Sequence, residues 1–166
     1  RIGEAQRFLR DGKWLQGRMD LGTTVRGKRL GILGLGRIGK AVARRAEVFG
    51  LHIAYHDIKP MGDLLYRSYP TLGDLAAASD ILLVACEGGQ ATAGLVDGAV
   101  LDALGPDGFL INAARGTIID QPALVSALRD GRIAGAALDV FDGEPEVPAE
   151  MMAMENVILT PHIASS

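Results

Sequence analysis

The stretch Leu30-Gly31-Ile32-Leu33-Gly34-Leu35-Gly36-Arg37-Ile38-Gly39-Lys40 carries three glycines in the order Gly-x-Gly-x-x-Gly, behind an apolar run and ahead of an amphipathic one. That context gives each glycine a physical task. Gly34 permits a tight turn, Gly36 lets a pyrophosphate approach the backbone, and Gly39 lets a helix lie close on the preceding strand. Phosphates held there meet a helix N-terminus, whose unpaired N–H groups and dipole favour negative charge. Glycine triplets alone are common. The strand before and the helix after are what lend this one meaning.

Outward from this stretch, short apolar runs alternate with helical ones. The runs Leu30–Leu33, His52–His56, Ile81–Ala85, Phe109–Ala113, Ala136–Phe141 and Val157–Leu159 read as strands. Ile38–Phe49, Leu72–Ala78, Gly98–Leu104 and Pro122–Arg129 read as helices. Runs such as Ile81-Leu82-Leu83-Val84 do not alternate with polar residues, so they suit strands covered on both faces. Alternation of this kind is the signature of βαβ units around a parallel sheet. The fold expected is α/β, a Rossmann-type doubly wound parallel sheet forming a nucleotide-binding domain over residues 21–166. Residues 1–20 are expected to be a connecting helix and linker. Ile2, Ala5, Phe8 and Leu9 sit at helical spacing before Gly12, and Trp14 is expected to anchor that helix against the sheet. Helix ends agree: Gly105–Pro106 stops one helix, and Asp120 with Pro122 opens another that Gly131 closes.

Asp57 ends the second apolar run, where its carboxylate can accept both ribose hydroxyls of an adenosine and repel a 2′-phosphate. The expected cofactor is therefore NAD rather than NADP, with Lys59 softening the discrimination. As a bare residue, Asp57 reads equally well as a turn former before Lys59–Pro60. His52 and His56 read as strand-edge residues, His56 near the adenine.

Composition sets the outer limits. The chain has 166 residues, 48% hydrophobic and 22% charged, an ordinary globular balance. A net charge of −3 with scattered arginines argues against nucleic-acid binding. No apolar run suffices to span a bilayer, and Arg1–Lys13 lacks a signal-peptide core, so a cytoplasmic protein with no membrane partner is expected. A single cysteine, Cys86, reads as a small buried hydrophobe, and no Cys/His spacing suggests a metal.

Three later segments carry polar groups that a buried sheet does not need. They are Ile111-Asn112-Ala113-Ala114-Arg115-Gly116, Leu138-Asp139-Val140-Phe141-Asp142-Gly143-Glu144-Pro145 and Leu159-Thr160-Pro161-His162. In an open α/β sheet the ligand crevice lies beyond the carboxyl ends of the strands, where all three fall. A guanidinium can clamp a carboxylate, and an imidazole can exchange a proton near neutral pH. Singly, Arg115 reads as a surface arginine in a loop, Glu144 as plain loop, and His162 as an edge histidine satisfied by backbone. Asp139, set among apolar neighbours, requires a polar partner.

Together, the glycine stretch, Asn112–Gly116, Leu138–Pro145 and Leu159–Ser166 resemble the D-isomer-specific 2-hydroxyacid dehydrogenases, within that group most nearly the glyoxylate and hydroxypyruvate reductases. The resemblance runs along almost the whole chain. It implies that Arg115 holds the carboxylate and carbonyl of a small 2-keto acid, that Glu144 pairs with His162 as proton donor, and that Asp139 binds the nicotinamide carboxamide. It also implies backbone contacts from Arg37 and Ile38 to the pyrophosphate, and commonly a homodimer. Members of the family are longer, with a separate substrate domain of which little is present here, so this chain is expected to bind NAD(H) but turn over poorly alone. Glu87 stands where proline is usual, and Ala164 where glycine is usual. An NAD(H)-sensing regulator or corepressor on the same scaffold is the alternative.

Overall fold

The computed structural model describes residues 2–59 and 65–164. Pro60 and the terminal Ser165–Ser166 lie outside the described residues. Among the described residues, seven strands form one parallel sheet: β1 Arg29–Leu33, β2 His52–His56, β3 Arg67–Ser68, β4 Ile81–Val84, β5 Phe109–Asn112, β6 Gly135–Leu138 and β7 Val157–Leu159. Their spatial order is β3-β2-β1-β4-β5-β6-β7. The chain runs outward from β1 through β2 to β3, then returns to the other side of β1 and continues through β7. The reversal lies between β1 and β4, paired in register from Leu30↔Ile81 to Leu33↔Val84. This is the doubly wound arrangement read from the sequence. Two details differ. The strand expected over Ala136–Phe141 ends at Leu138, because the chain leaves the sheet to bear Asp139 and the loop beyond. β3 has no apolar run to announce it, consisting of Arg67 and Ser68 beside β2.

Helices cover both faces, although unequally. α1 is Ile2–Arg10 and α2 is Arg37–Val48; α2 packs Ala43 and Ala46 against Leu30, Ile32, Tyr55 and Leu83. On the opposite face lie α3 (Leu72–Ala77), α4 (Gly98–Leu104) and α5 (Gln121–Arg129), which bury Leu75, Leu101, Leu124 and Leu128 over Leu82, Val84, Leu110 and Leu138. Each fully buried leucine or isoleucine in these layers contributes about 2 kcal/mol of transfer free energy. Side-chain caps start the three helices of the second face. Thr71 Oγ1 accepts from Asp74 N (3.1 Å), Asp97 Oδ1 from Val100 N (2.9 Å) and Asp120 Oδ1 from Ala123 N (3.0 Å). A short α6, Ala149–Ala153, precedes β7 and buries Met151.

The expectation for Trp14 is corrected. α1 buries none of its residues, and Trp14, in a single turn after it, is 67% exposed. It does not anchor the helix to the sheet. The α2 face of β5 to β7 is correspondingly open, with Phe109 at 37% and Ile158 at 60% exposure. A groove of about 1020 Å³ runs there, bordered by Ile2, Arg7, Leu21, Phe109 and Ile158.

Candidate active site

Because every strand is parallel, the loops that follow β1, β2, β4, β5, β6 and β7 all leave the same edge of the sheet. The glycine loop follows β1. Gly34 has φ 89°, a left-handed conformation, and a Cβ there would meet the Cys86 backbone at 2.6 Å. The turn can therefore lie against the loop after β4 only without a side chain. A Cβ on Gly39 would lie 2.3 Å from the Gly34 carbonyl oxygen, so α2 is seated close on the turn, as its glycine suggested. Gly36 is the opposite case: it caps α2, and nothing lies within 4 Å of the place a Cβ would take. Open space in front of the α2 N-terminus, beside Arg37 and Ile38, is what a dinucleotide's phosphates require. The residues present fit such a group.

Asp57 lies just beyond β2, with its carboxylate turned to that same loop. Oδ2 accepts from the Leu35 N–H (2.8 Å) and Oδ1 from the Lys59 N–H (2.9 Å). Each oxygen retains a second lone pair for a further donor. His56, the last residue of β2, shares a 2.9 Å hydrogen bond between Nδ1 and the Tyr69 carbonyl. Cys86 is half-buried, and burial chiefly pushes its thiol pKa up, so it is not a ready thiolate.

Arg115 leaves β5 on a turn held from inside by Asn112. That asparagine is fully buried; its Nδ2 donates to the Arg115 carbonyl (2.9 Å), and its Oδ1 accepts from Ala114 N (3.0 Å). The Arg115 side chain is exposed, with Nη1 donating to the Ala114 carbonyl (2.6 Å). The following Gly116 presses directly on the next loop, since a Cβ there would stand 1.9 Å from the Phe141 carbonyl carbon. Asp142 N donates to Gln121 Oε1 (3.2 Å), a second tie between the two loops.

Phe141 N–H in turn donates to Glu144 Oε1 (2.9 Å), and Glu144 Oε2 lies 2.8 Å from His162 Nδ1. A carboxylate has no proton to give, so the imidazole carries hydrogen on Nδ1 and presents Nε2 for exchange. The hydrogen bond from His162, then that from Phe141, lowers the Glu144 pKa below the usual carboxylate value. Asp139 finds the partner its surroundings demanded in the turn that carries His162. Oδ1 accepts from Thr160 Oγ1 (2.6 Å) and Ile163 N (3.0 Å), and Oδ2 from Ala164 N (2.8 Å). The bond from Thr160, with those from Ala164 and Ile163, holds the Asp139 carboxyl below its ordinary pKa. His162 N–H donates to the Asp139 carbonyl as well (2.9 Å), and His162 has φ 53°. A left-handed non-glycine residue is held there against its own preference.

The structure thus gathers Arg115, Asp139, Glu144 and His162 on adjacent loops, with the glycine loop and Asp57 further along the same edge. The reading from sequence passed over Asn112, Gln121 and Thr160, whose polar atoms hold those loops. Asn112 at the end of an apolar strand was the one visible signal, being a buried amide in need of partners. Chemically, the set can bind a carboxylate at the guanidinium and move a proton at Nε2 of a carboxylate-backed imidazole.

Residues 1–164 match the family model for the D-isomer specific 2-hydroxyacid dehydrogenase, NAD binding domain. Glyoxylate/hydroxypyruvate reductase A of Arabidopsis thaliana is 52% identical over 167 residues, covering 99% of this chain and 53% of the relative. Hydroxyphenylpyruvate reductase of Plectranthus scutellarioides is 48% identical, covering 99% of this chain and 53% of that protein. Among solved structures, an NADPH-dependent glyoxylate/hydroxypyruvate reductase from Sinorhizobium meliloti, in complex with NADP and malonate, superposes with a TM-score of 0.95 at 47% identity. That superposition covers 99% of this chain and 52% of the other. The chain spans about half the length of the curated relatives it matches. On this fold, these loops and this match, the chain belongs to the D-isomer specific 2-hydroxyacid dehydrogenase family and comprises its NAD-binding domain.

Proposed function

We propose that this chain is the nucleotide-binding half of an NADH-dependent reductase that converts a small 2-keto acid, of the glyoxylate or hydroxypyruvate class, to the D-2-hydroxy acid. The observation that carries the reading is the Glu144–His162 pair, held at 2.8 Å and one loop away from Arg115. Names of the relatives support the substrate class and weigh against a regulator on the same scaffold.

The bound dinucleotide supplies the hydride. Arg115 binds the substrate carboxylate and polarises the carbonyl through its fork of donors. His162 Nε2–H protonates the oxygen as it gains charge, and Nε2 takes the proton back in the oxidative direction. Glu144 fixes the ring and its tautomer through Nδ1. Asp139 holds the His162 turn and offers its remaining lone pairs to the nicotinamide carboxamide. Gly34, Gly36 and Gly39, with the backbones of Arg37 and Ile38, receive the pyrophosphate. Asp57 binds the adenosine ribose and favours NAD over NADP, although the Sinorhizobium meliloti protein is NADPH-dependent.

The open α2 face of β5 to β7 and the unburied α1 support a homodimer through this domain, with residues 1–20 as its connector. The test is an NADH and NADPH titration followed by a 2-keto acid panel on the intact protein. Tighter binding of NADH and reduction of glyoxylate or hydroxypyruvate are expected. Equal affinity for NADPH would remove the role given to Asp57, and no reduction of any 2-keto acid would refute the activity.

A further inference from the structure

We propose that Gly88 is a positioning residue for Arg115, aiming the substrate-carboxylate clamp by leaving the room its stem occupies. This deepens the reading of Arg115 given above and rests on it. Gly88 lies in the loop after β4. A Cβ built on it would stand 2.4 Å from Arg115 Cγ and 2.8 Å from Arg115 Cβ, with Cδ at 3.6 Å. Carbon atoms do not approach so closely, so any side chain at this position displaces something.

Two neighbours, Thr92 and Asn112, decide what moves. The loop bearing Gly88 is tied on its far side, where Thr92 Oγ1 donates to the Glu87 carbonyl (2.9 Å) and the Gly89 carbonyl (3.1 Å). The Arg115 backbone is tied in turn by Asn112 Nδ2 donating to its carbonyl (2.9 Å). With both main chains held, the part freest to yield is the arginine side chain beyond Cβ, and the 2.8 Å approach to Cβ itself is relieved only by a small shift of the main chain. Cγ lies at the root of that side chain, so a rotation there swings the guanidinium away from its present direction. Gly88 is not among the glycines held at positive φ. Its requirement is therefore space and not backbone conformation. Gly89 provides an internal contrast. It has φ 165°, extended backbone that any residue adopts, and nothing lies within 4 Å of its Cβ position.

The experiment compares Gly88→Ala, Gly89→Ala, Arg115→Gly and the double variant Gly88→Ala/Arg115→Gly in the intact protein. The readouts are Kd for NADH, Kd for oxamate (an unreactive 2-keto acid isostere) on the NADH complex, and KM for the 2-keto acid. Gly88→Ala is expected to weaken oxamate and raise KM roughly tenfold, since a small misplacement of a binding group is costly, while NADH Kd stays within about twofold. Gly89→Ala should match the parent in all three. In the Arg115→Gly background the Gly88 substitution should add no further loss, because its clash partner is gone. Should Gly88→Ala fail to fold, the double variant should fold again, and its failure to do so would overturn the proposal. Parental oxamate binding by Gly88→Ala, beside a large loss in Arg115→Gly, overturns the role of Gly88 and leaves that of Arg115 standing. Unchanged oxamate binding in Arg115→Gly overturns both.

Discussion

His162 stands at φ 53° because its neighbours leave it no alternative: Asp139 accepts from Thr160, Ile163 and Ala164 around it, and the Glu144 carboxylate takes its Nδ1 proton. His162→Asn should lower kcat by about 10²- to 10⁴-fold, the usual worth of a placed acid or base, with NADH affinity little changed. Stopped-flow single turnovers alongside NADH fluorescence titration check this. Asp139→Asn replaces four acceptor lone pairs by two, so the turn should loosen. Faster amide hydrogen exchange at Ile163 and Ala164 is the expected sign. The pH dependence has a definite direction. Both carboxyls are held below their ordinary values of 3.8 for Asp139 and 4.5 for Glu144. Their hold on the turn is complete above the unfolded pKa and is lost as pH falls through the depressed folded one. Exchange protection at Ile163 and Ala164 should therefore persist at pH 5 and fail below the carboxylate range.

At the level of elements, the two ends of the strands are secured by different means. At the amino ends, Arg29 donates to Asp80 from N (2.7 Å), Nε (3.1 Å) and Nη2 (3.1 Å), joining β1 to the start of β4. The guanidinium hydrogen bonds bring the Asp80 pKa from 3.8 to about 2. Asp80→Asn should cost about 1 kcal/mol above pH 4, Arg29 being half exposed and screened, and the deficit should shrink toward pH 2. Urea titrations at several pH values decide it. At the carboxyl ends, Gly116→Ala forces a Cβ onto the Phe141 main chain, which cannot give. A loss of about 1–3 kcal/mol and a Tm lower by several degrees are expected, together with a fall in kcat/KM. The elements themselves were legible wherever a period or a cap announced them. The Gly98–Leu104 helix agrees to the residue, and Gly34, Gly36 and Gly39 take up the turn, the open face and the close seat that their spacing suggested. β3 was not legible, because two polar residues at the edge carry no pattern. Trp14 misled, since an aromatic residue beside a helix implies burial and here meets solvent. In the site, residue types could be read but not the ties between loops. Asn112 to Arg115, Gln121 to Asp142 and Asp139 to the His162 turn are contacts made by the packing of adjacent crossovers, which no local spacing encodes.

At the scale of the whole chain, the face of β5 to β7 opposite α3, α4 and α5 leaves Phe109 and Ile158 in part exposed, at 37% and 60%. The homodimer proposed above predicts a dimer in sedimentation equilibrium of the intact protein, shifted toward monomer by charged substitution of Ile158. This chain alone should bind NADH yet reduce 2-keto acids far more slowly than the intact protein, because one domain cannot close over the substrate and exclude water. Seven strands pointing the same way also divide the protein's tolerance of change along a single direction. Substitutions near the start of a strand meet only neighbours that hold the sheet, and should register as lost abundance. Those at exposed positions just past its finish, such as Arg115 and His162, should leave the protein abundant and idle, whereas a change at Gly116, pressed on the Phe141 main chain, should cost both abundance and turnover. A saturation screen scoring expression and turnover separately would draw that gradient, with its steepest step at the last residue of each strand.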